Sequence, residues 1–187
     1  MPSSRSAASM AAATASGRER SNWSGNAACS ISNANSYARL TPSSWVGIIP
    51  CMGTRNREVA IRLCPRAQDS SGVNPRASIE YRLADATANP YLVLAAIINA
   101  GMDGMRAELA APPDIQVDPA TLTSDDIKKL NLVPLPSDPA QTLAQAKRLE
   151  HWFGLEFDEA FRAVRENDIA DAERLGNTYI DTLMLAI

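Results

Sequence analysis

The stretch "ANPYLVLAAIINAGMDGM", residues 88 to 105, constrains this chain more than any other. Its apolar residues run almost without a break. Asn89 is a strong helix N-cap, and Pro90 falls at the first helical position, where a missing N–H costs nothing. The pattern predicts a helix over residues 90–109, stopped by "APPD". Gly101 and Gly104 lie inside it, each about 1 kcal/mol less favourable than alanine, a cost that close packing against a neighbour offsets. The longest apolar run, Pro90 to Ala100, contains Tyr91 and Asn99 and is too short to cross a bilayer, so no membrane association is expected.

Upstream the pattern is strand-like. "WVGIIPCMG" (45–53) and "EVAIRLCP" (58–65) are short β-rich runs separated by "TRNR", which suits a hairpin connection. "DSSGVNPRA" (69–77) is loop chemistry, and "SIEYRL" (78–83) is a third strand. Downstream, "TSDDIKKL", "SDPAQTLAQAKRLEHWFG" and "GLEFDEAFRAVRENDIADAERLG" read as a helical tail. The fold class is therefore α+β: antiparallel strands, a buried helix start, then helices. Residues 1–34 are set apart from the 35–187 unit. They are Ser/Ala-rich, with Arg5, Arg18 and Arg20 against Glu19 alone, and show no sustained hydrophobic period. A disordered start, an organellar transit peptide and a misassigned gene start all fit, the last being favoured.

The 45% apolar and 21% charged content of the 187 residues belongs to an ordinary globular protein. Cys29, Cys51 and Cys64 lack CxxC or Cys/His spacing, which argues against a disulfide framework or zinc site and for a reducing cytoplasm. The net charge of −3 conceals an asymmetry: residues 1–82 hold ten Arg, no Lys and four acids, while residues 83–187 hold eight bases and seventeen acids. An all-arginine basic half suits bidentate recognition of carboxylate or phosphate. It does not suit nucleic acid, because lysines and interleaved aromatic platforms are missing from it.

Several local signals converge. Arg39 follows a polar turn in "NSYARL"; Arg57 and Arg62 stand five residues apart in "RNREVAIR"; Glu80 and Arg82 share a strand face at spacing two. Glu80 with Arg82 could be a salt bridge on a solvated strand, or a metal ligand beside an anion-binding guanidinium. Taken together, four arginines and one carboxylate suggest a site for an anionic substrate with a cation. His151, the single histidine, lies on a late helix and reads as structural.

The order "NSYARL", then "RNREVAIR", then "IEYRLADATANPYLVLAAIINAGMDG" resembles the C-terminal half of the glutamine synthetase family, from about Asn35 to Leu149. The resemblance implies part of that family's catalytic domain and an ATP-dependent glutamate–ammonia or glutamate–amine ligase. ATP would phosphorylate the glutamate side chain, and an amine would displace phosphate from the γ-glutamyl phosphate. It implies Glu80 as a ligand for Mg2+ or Mn2+, Arg39 on the glutamate α-carboxylate, Arg57 and Arg62 near the transferring phosphoryl group and nucleotide, and Arg82 on the substrate. It also implies a homo-oligomer, an implication weakened for a chain of this extent.

Two departures shape the expectation. The family's flap commonly reads "RLVPGYEAP", whereas this chain reads "RLTPSSWVG", with Trp45 at the glutamate position. Tryptophan cannot act as a base, but it offers an aromatic face to a larger amine, which favours an organic amine over ammonia. The family's other acidic metal ligands and metal-binding histidine have no match before residue 35. A divalent cation is then not expected to be retained by this chain alone. That leaves a second reading, a catalytically inactive piece that serves only in assembly or interaction.

Overall fold

A computed structural model of the chain describes residues 29, 36–37, 40, 49–64, 78–110, 112–136, 138–147 and 149–179. Three strands form one sheet in the order β1 (Met52–Thr54), β2 (Ile61–Cys64), β3 (Ser78–Tyr81). β2 and β3 pair antiparallel, with Arg62 opposite Glu80 and Ile61 opposite Tyr81. β1 and β2 pair parallel, Met52 against Ile61 and Thr54 against Leu63. The expected hairpin at "TRNR" is therefore not formed, and the sheet is mixed.

The reason lies in the 55–60 connection. A strand of three residues rises only about 10 Å, so a few extended residues can carry the chain back to its start without a helical crossover. Arg55 opens the return in the left-handed region at φ 58°. Asn56 then anchors it: its Nδ2 donates to the carbonyls of Ile115 (2.9 Å) and Val117 (3.0 Å), and its Oδ1 accepts from Glu58 N–H (2.9 Å). The 114–117 segment runs beside β1, with Ile115 N–H donating to Met52 O at 2.9 Å and Thr54 N–H to Asp114 Oδ1 at 2.7 Å. A Cβ on Gly53 would sit 2.3 Å from Ile115 O, so only glycine permits that approach.

The predicted helix is α1, Pro90–Arg106, and the Asn89 side chain accepts from the N–H groups of Tyr91 and Leu92. It ends at Arg106, short of Leu109. Ala96, Ala100, Gly101 and Gly104 are its buried residues. Among the described residues no helix is long and apolar enough to cross a membrane.

The tail comprises α2 (Ser124–Lys129), α3 (Pro139–Gln145), α4 (Leu149–Phe153) and α5 (Leu155–Leu175), with 3₁₀ turns at Pro119–Thr121 and Gly176–Thr178. The single amphipathic helix expected from "SDPAQTLAQAKRLEHWFG" is instead two. α3 stops at Ala146, whose ψ of 61° leaves the helical region. From α5, the Arg162 guanidinium donates to the carbonyl of Ala146 (2.7 Å) and to that of Leu143 (2.8 Å), which also accepts from Ala146 N–H. A cation thus caps the C-terminal end of α3, where the helix dipole favours it. Gly154, at φ 89°, makes the corner between α4 and α5.

Three apolar clusters hold these pieces. Leu40, Met52, Ala60, Ile61, Leu83 and Leu135 form one around the sheet, and Cys51, Val59, Ile115 and Leu132 form a second. The third joins Cys29 and Ala96 to Leu143, Ala146, Leu149 and Phe161, so α1 is packed on the tail. Trp152 ties the same elements by polar contact, its Nε1 donating to Asp103 Oδ2 at 2.9 Å. His151 stands 3.6 Å from the other oxygen of Asp103, in keeping with a structural part.

Candidate functional site

Antiparallel pairing puts Arg62 and Glu80 directly across β2 and β3. Arg82 follows β3 on the same side as Glu80, held by its N–H to Ala60 O at 2.9 Å. Cross-strand neighbours of opposite charge at this spacing attract. The result is a clamp: Arg62 Nη2 contacts Glu80 Oε2, and Arg82 Nη1 donates to Glu80 Oε1 at 2.6 Å. Arg62 also donates from Nε to Cys64 Sγ at 3.3 Å, two residues along the same strand face. The Arg82 and Arg62 side chains are 16% and 21% exposed and Glu80 39%, so the cluster is open to solvent on one side.

Chemically, two guanidiniums share one carboxylate, which leaves a net positive charge of one at a half-buried sheet edge. Such a group can receive a phosphate or carboxylate oxygen while Glu80 keeps the two forks oriented. The sequence reasoning placed Glu80, Arg82 and Arg62 together, and the structure does bring them together. It places Arg57 elsewhere. Arg57 is exposed in the 55–60 connection, on no strand, and makes no ion pair with Glu80. Arg57 thus stands off the strands that carry Arg62 and Glu80, in a connection that Asn56 bonds to the 115–117 backbone. Arg39 and Trp45 lie outside the described residues.

The same geometry tests the expected divalent cation. Both Glu80 oxygens are engaged by guanidiniums. Among the described residues no group of three or more His, Cys, Asp or Glu is gathered as a metal would require. The remaining carboxylates of the chain are Glu19, Asp69 and Asp181. Mg2+ and Mn2+ take six oxygen ligands, waters and phosphates among them, and rest on one or two carboxylates whose oxygens are free to coordinate. The donor set described does not fit Mg2+ or Mn2+.

Sequence reasoning missed the role of Asn56, whose polar side chain in "TRNR" reads as ordinary turn chemistry. It also missed Cys64 as a neighbour of Arg62, although spacing two on a strand signals a shared face. All three cysteines are free. Burial pushes the Cys51 thiol up to about 12, and burial likewise raises Cys29 to about 12, opposed by the nearby Arg165 charge. A cavity of about 320 Å³ opens between α3 and α5, lined by Leu143, Arg162 and Ile169 among others, and none of the expected site residues lines it.

A family model described as "Glutamine synthetase, catalytic domain" matches residues 7–180. A gamma-glutamylpolyamine synthetase, GlnA3 of Streptomyces coelicolor, is 40% identical over 88 residues, 46% of this chain and 18% of that protein. A glutamine synthetase of Thermococcus kodakarensis is 33% identical over 159 residues, covering 84% of this chain and 33% of its own length. The gamma-glutamylputrescine synthetase PuuA of Escherichia coli is 31% identical over 146 residues, 76% of this chain and 28% of that protein. Among solved structures, one described as "GmaS/ADP complex-Conformation 1" superposes with a TM-score of 0.68 at 22% identity, covering 98% of this chain and 40% of the other. The chain thus spans about a fifth to two fifths of the proteins it matches.

Proposed function

Because the chain belongs to the glutamine synthetase family, matching its catalytic domain, we propose that it supplies the C-terminal part of an ATP-dependent glutamate–amine ligase site, with an organic amine preferred to ammonia. The observation that carries this reading is the Arg62–Glu80–Arg82 clamp at the sheet edge. A γ-glutamyl phosphate route puts negative charge on a transferring phosphoryl group and on the glutamate carboxylates. Guanidiniums already oriented before substrate arrives stabilise that charge without reorganising.

In this reading Arg82 faces the substrate, Arg62 lies toward the nucleotide phosphates, and Arg57 acts near the phosphoryl group. Arg39 holds the glutamate α-carboxylate, and Trp45 faces the amine. ATP supplies the phosphoryl group. The likeness to a gamma-glutamylpolyamine and a gamma-glutamylputrescine synthetase supports an amine larger than ammonia. The functional unit is residues 35–187, although the family match itself begins at residue 7. A cytoplasmic setting agrees with three free cysteines.

One observation favours a second reading for the 187-residue chain by itself. Both Glu80 oxygens are engaged by arginines, and among the described residues no group of carboxylates gathers beside it. The chain alone is accordingly inactive and serves in assembly. A chimera separates the two readings: residues 35–187 replace the corresponding part of the E. coli gamma-glutamylputrescine synthetase. Formation of γ-glutamylputrescine by the chimera, lost on Arg82→Ala, supports the ligase reading. A folded, nucleotide-binding chimera that makes no amide overturns it.

A further inference from the structure

Residues seven apart on a helix fall within about 20° of one line and about 10 Å from each other along it. On α5 that relation joins Glu166 and Glu173, both exposed and both lining the cavity between α3 and α5. Ile169 and Ala170 line it between them. From α3 come Ala140, Leu143 and Ala144, whose spacing puts them on one side of that helix. The two small residues on α3 and Ala170 on α5 leave the trough open where longer side chains would fill it. Its floor is therefore apolar, with a carboxylate toward each end.

The cations nearby are engaged elsewhere. Arg162 donates to the Leu143 and Ala146 carbonyls and pairs with Asp158 at 2.8 Å. The Arg165 guanidinium lies 5.2 Å from the centre of the Phe161 ring, and Arg174 pairs with Asp171 at 2.8 Å. Among the described residues neither Glu166 nor Glu173 forms an ion pair. The surrounding half of the chain has the same sign, since residues 83–187 hold eight bases against seventeen acids.

A ligand complementary to this trough has an apolar middle and a positive charge at each end. The cavity, about 320 Å³, is at the small end of the range for small-molecule sites. Spread along about 10 Å of α5, that volume suits one alkyl chain and not a peptide helix about 10–12 Å across. We propose that the trough between α3 and α5 binds a linear diammonium ion, its alkyl chain over the alanines and its two ammonium groups at Glu166 and Glu173. The inference does not rest on the ligase reading, and none of Arg62, Glu80 and Arg82 lines this cavity. Surface ion pairs are weak and screened by salt, so a dissociation constant of about 1 mM at low ionic strength is expected.

The test is a methyl NMR titration of the full chain with 1,8-diaminooctane, whose terminal nitrogens reach about two helical turns apart. The Leu143 and Ile169 methyl signals should move and saturate, while those of Ile61 and Leu63 on the sheet stay in place. Octylamine, with one ammonium, should bind more weakly. The double variant Glu166→Gln with Glu173→Gln should lose about tenfold in affinity. Ala144→Leu, which fills the trough and leaves both carboxylates, should also weaken binding. The exposed control Asp125→Asn on α2 should not, and circular dichroism should be unchanged throughout. No movement of Leu143 and Ile169 up to about 10 mM diamine overturns the proposal. So does equal affinity for octylamine, an affinity indifferent to both variants, or saturable binding of a basic amphipathic peptide at these methyls without binding of the diamine.

Discussion

Arg82 Nη1 donates to Glu80 Oε1 at 2.6 Å, so two residues spaced by two on one strand edge fix each other before any ligand is present. With Arg62 on the other oxygen, Glu80 joins two guanidiniums. Its role is to hold them.

Glu80→Gln should therefore lower stability. Removing the carboxylate leaves two like charges side by side, partly screened because Glu80 is 39% exposed. After that discount the loss is about 1 kcal/mol, a fall of roughly 2–4 °C in Tm for a chain of this size. Differential scanning calorimetry reads it. An unchanged Tm would mean that the clamp contributes nothing to the fold.

Arg162→Ala tests why one predicted helix became two. The guanidinium satisfies the Leu143 and Ala146 carbonyls at the end of α3 and also pairs with Asp158 at 2.8 Å. Losing two charged hydrogen bonds at a half-buried junction should cost about 2 kcal/mol, measured by urea unfolding. Arg162→Lys should recover less than half of this, since an ammonium cannot reproduce the planar fork.

Alkaline pH should unfold the chain from within. The Cys51 and Cys29 thiols are raised from 9.0 to about 12, and Tyr37 from 10.0 to about 12, all chiefly by burial. Each group binds its proton more tightly folded than unfolded. Its stabilising contribution is thus complete below the unfolded pKa and is lost as pH rises toward the folded one. Stability should fall between about pH 9 and pH 12, and Cys51→Ser, which does not ionise there, should flatten that fall. In the native protein at pH 8, Cys64 should be the thiol that alkylates, detected by mass spectrometry. Alkylation of Cys51 as fast as Cys64 would contradict its burial.

Much of this was legible in the residues because the signals were local. Asn89 and Pro90 announce a helix start by their own chemistry, and spacing two on "IEYR" puts Glu80 and Arg82 on one side whatever the rest does. What escaped depended on partners far along the chain. The parallel β1–β2 pairing follows from Asn56 bonding to the backbone some sixty residues away, at Ile115 and Val117. The break at Ala146 follows from Arg162 on another helix. The position of Arg57 depends on the same bonds as that pairing, because a hairpin and a parallel return carry residues 54–57 in different directions.

By the family resemblance, Trp45 stands where the flap commonly carries a glutamate. If the ligase reading is right, the chimera bearing residues 35–187 should use ammonia poorly beside an organic amine. Trp45 removes a negative charge that would attract ammonium and a base that would deprotonate it, while its ring offers a surface to an alkyl ammonium. Trp45→Glu should move the ratio of the two products toward the ammonia amide. A single pocket change of this kind shifts discrimination by about 1–3 kcal/mol, roughly 10–200-fold. Both amides are quantified from one reaction containing both acceptors, so differences in protein amount cancel. A chimera that already prefers ammonia, or a product ratio unmoved by Trp45→Glu, would return the site to plain glutamine synthesis and leave Trp45 with no part in choosing the acceptor.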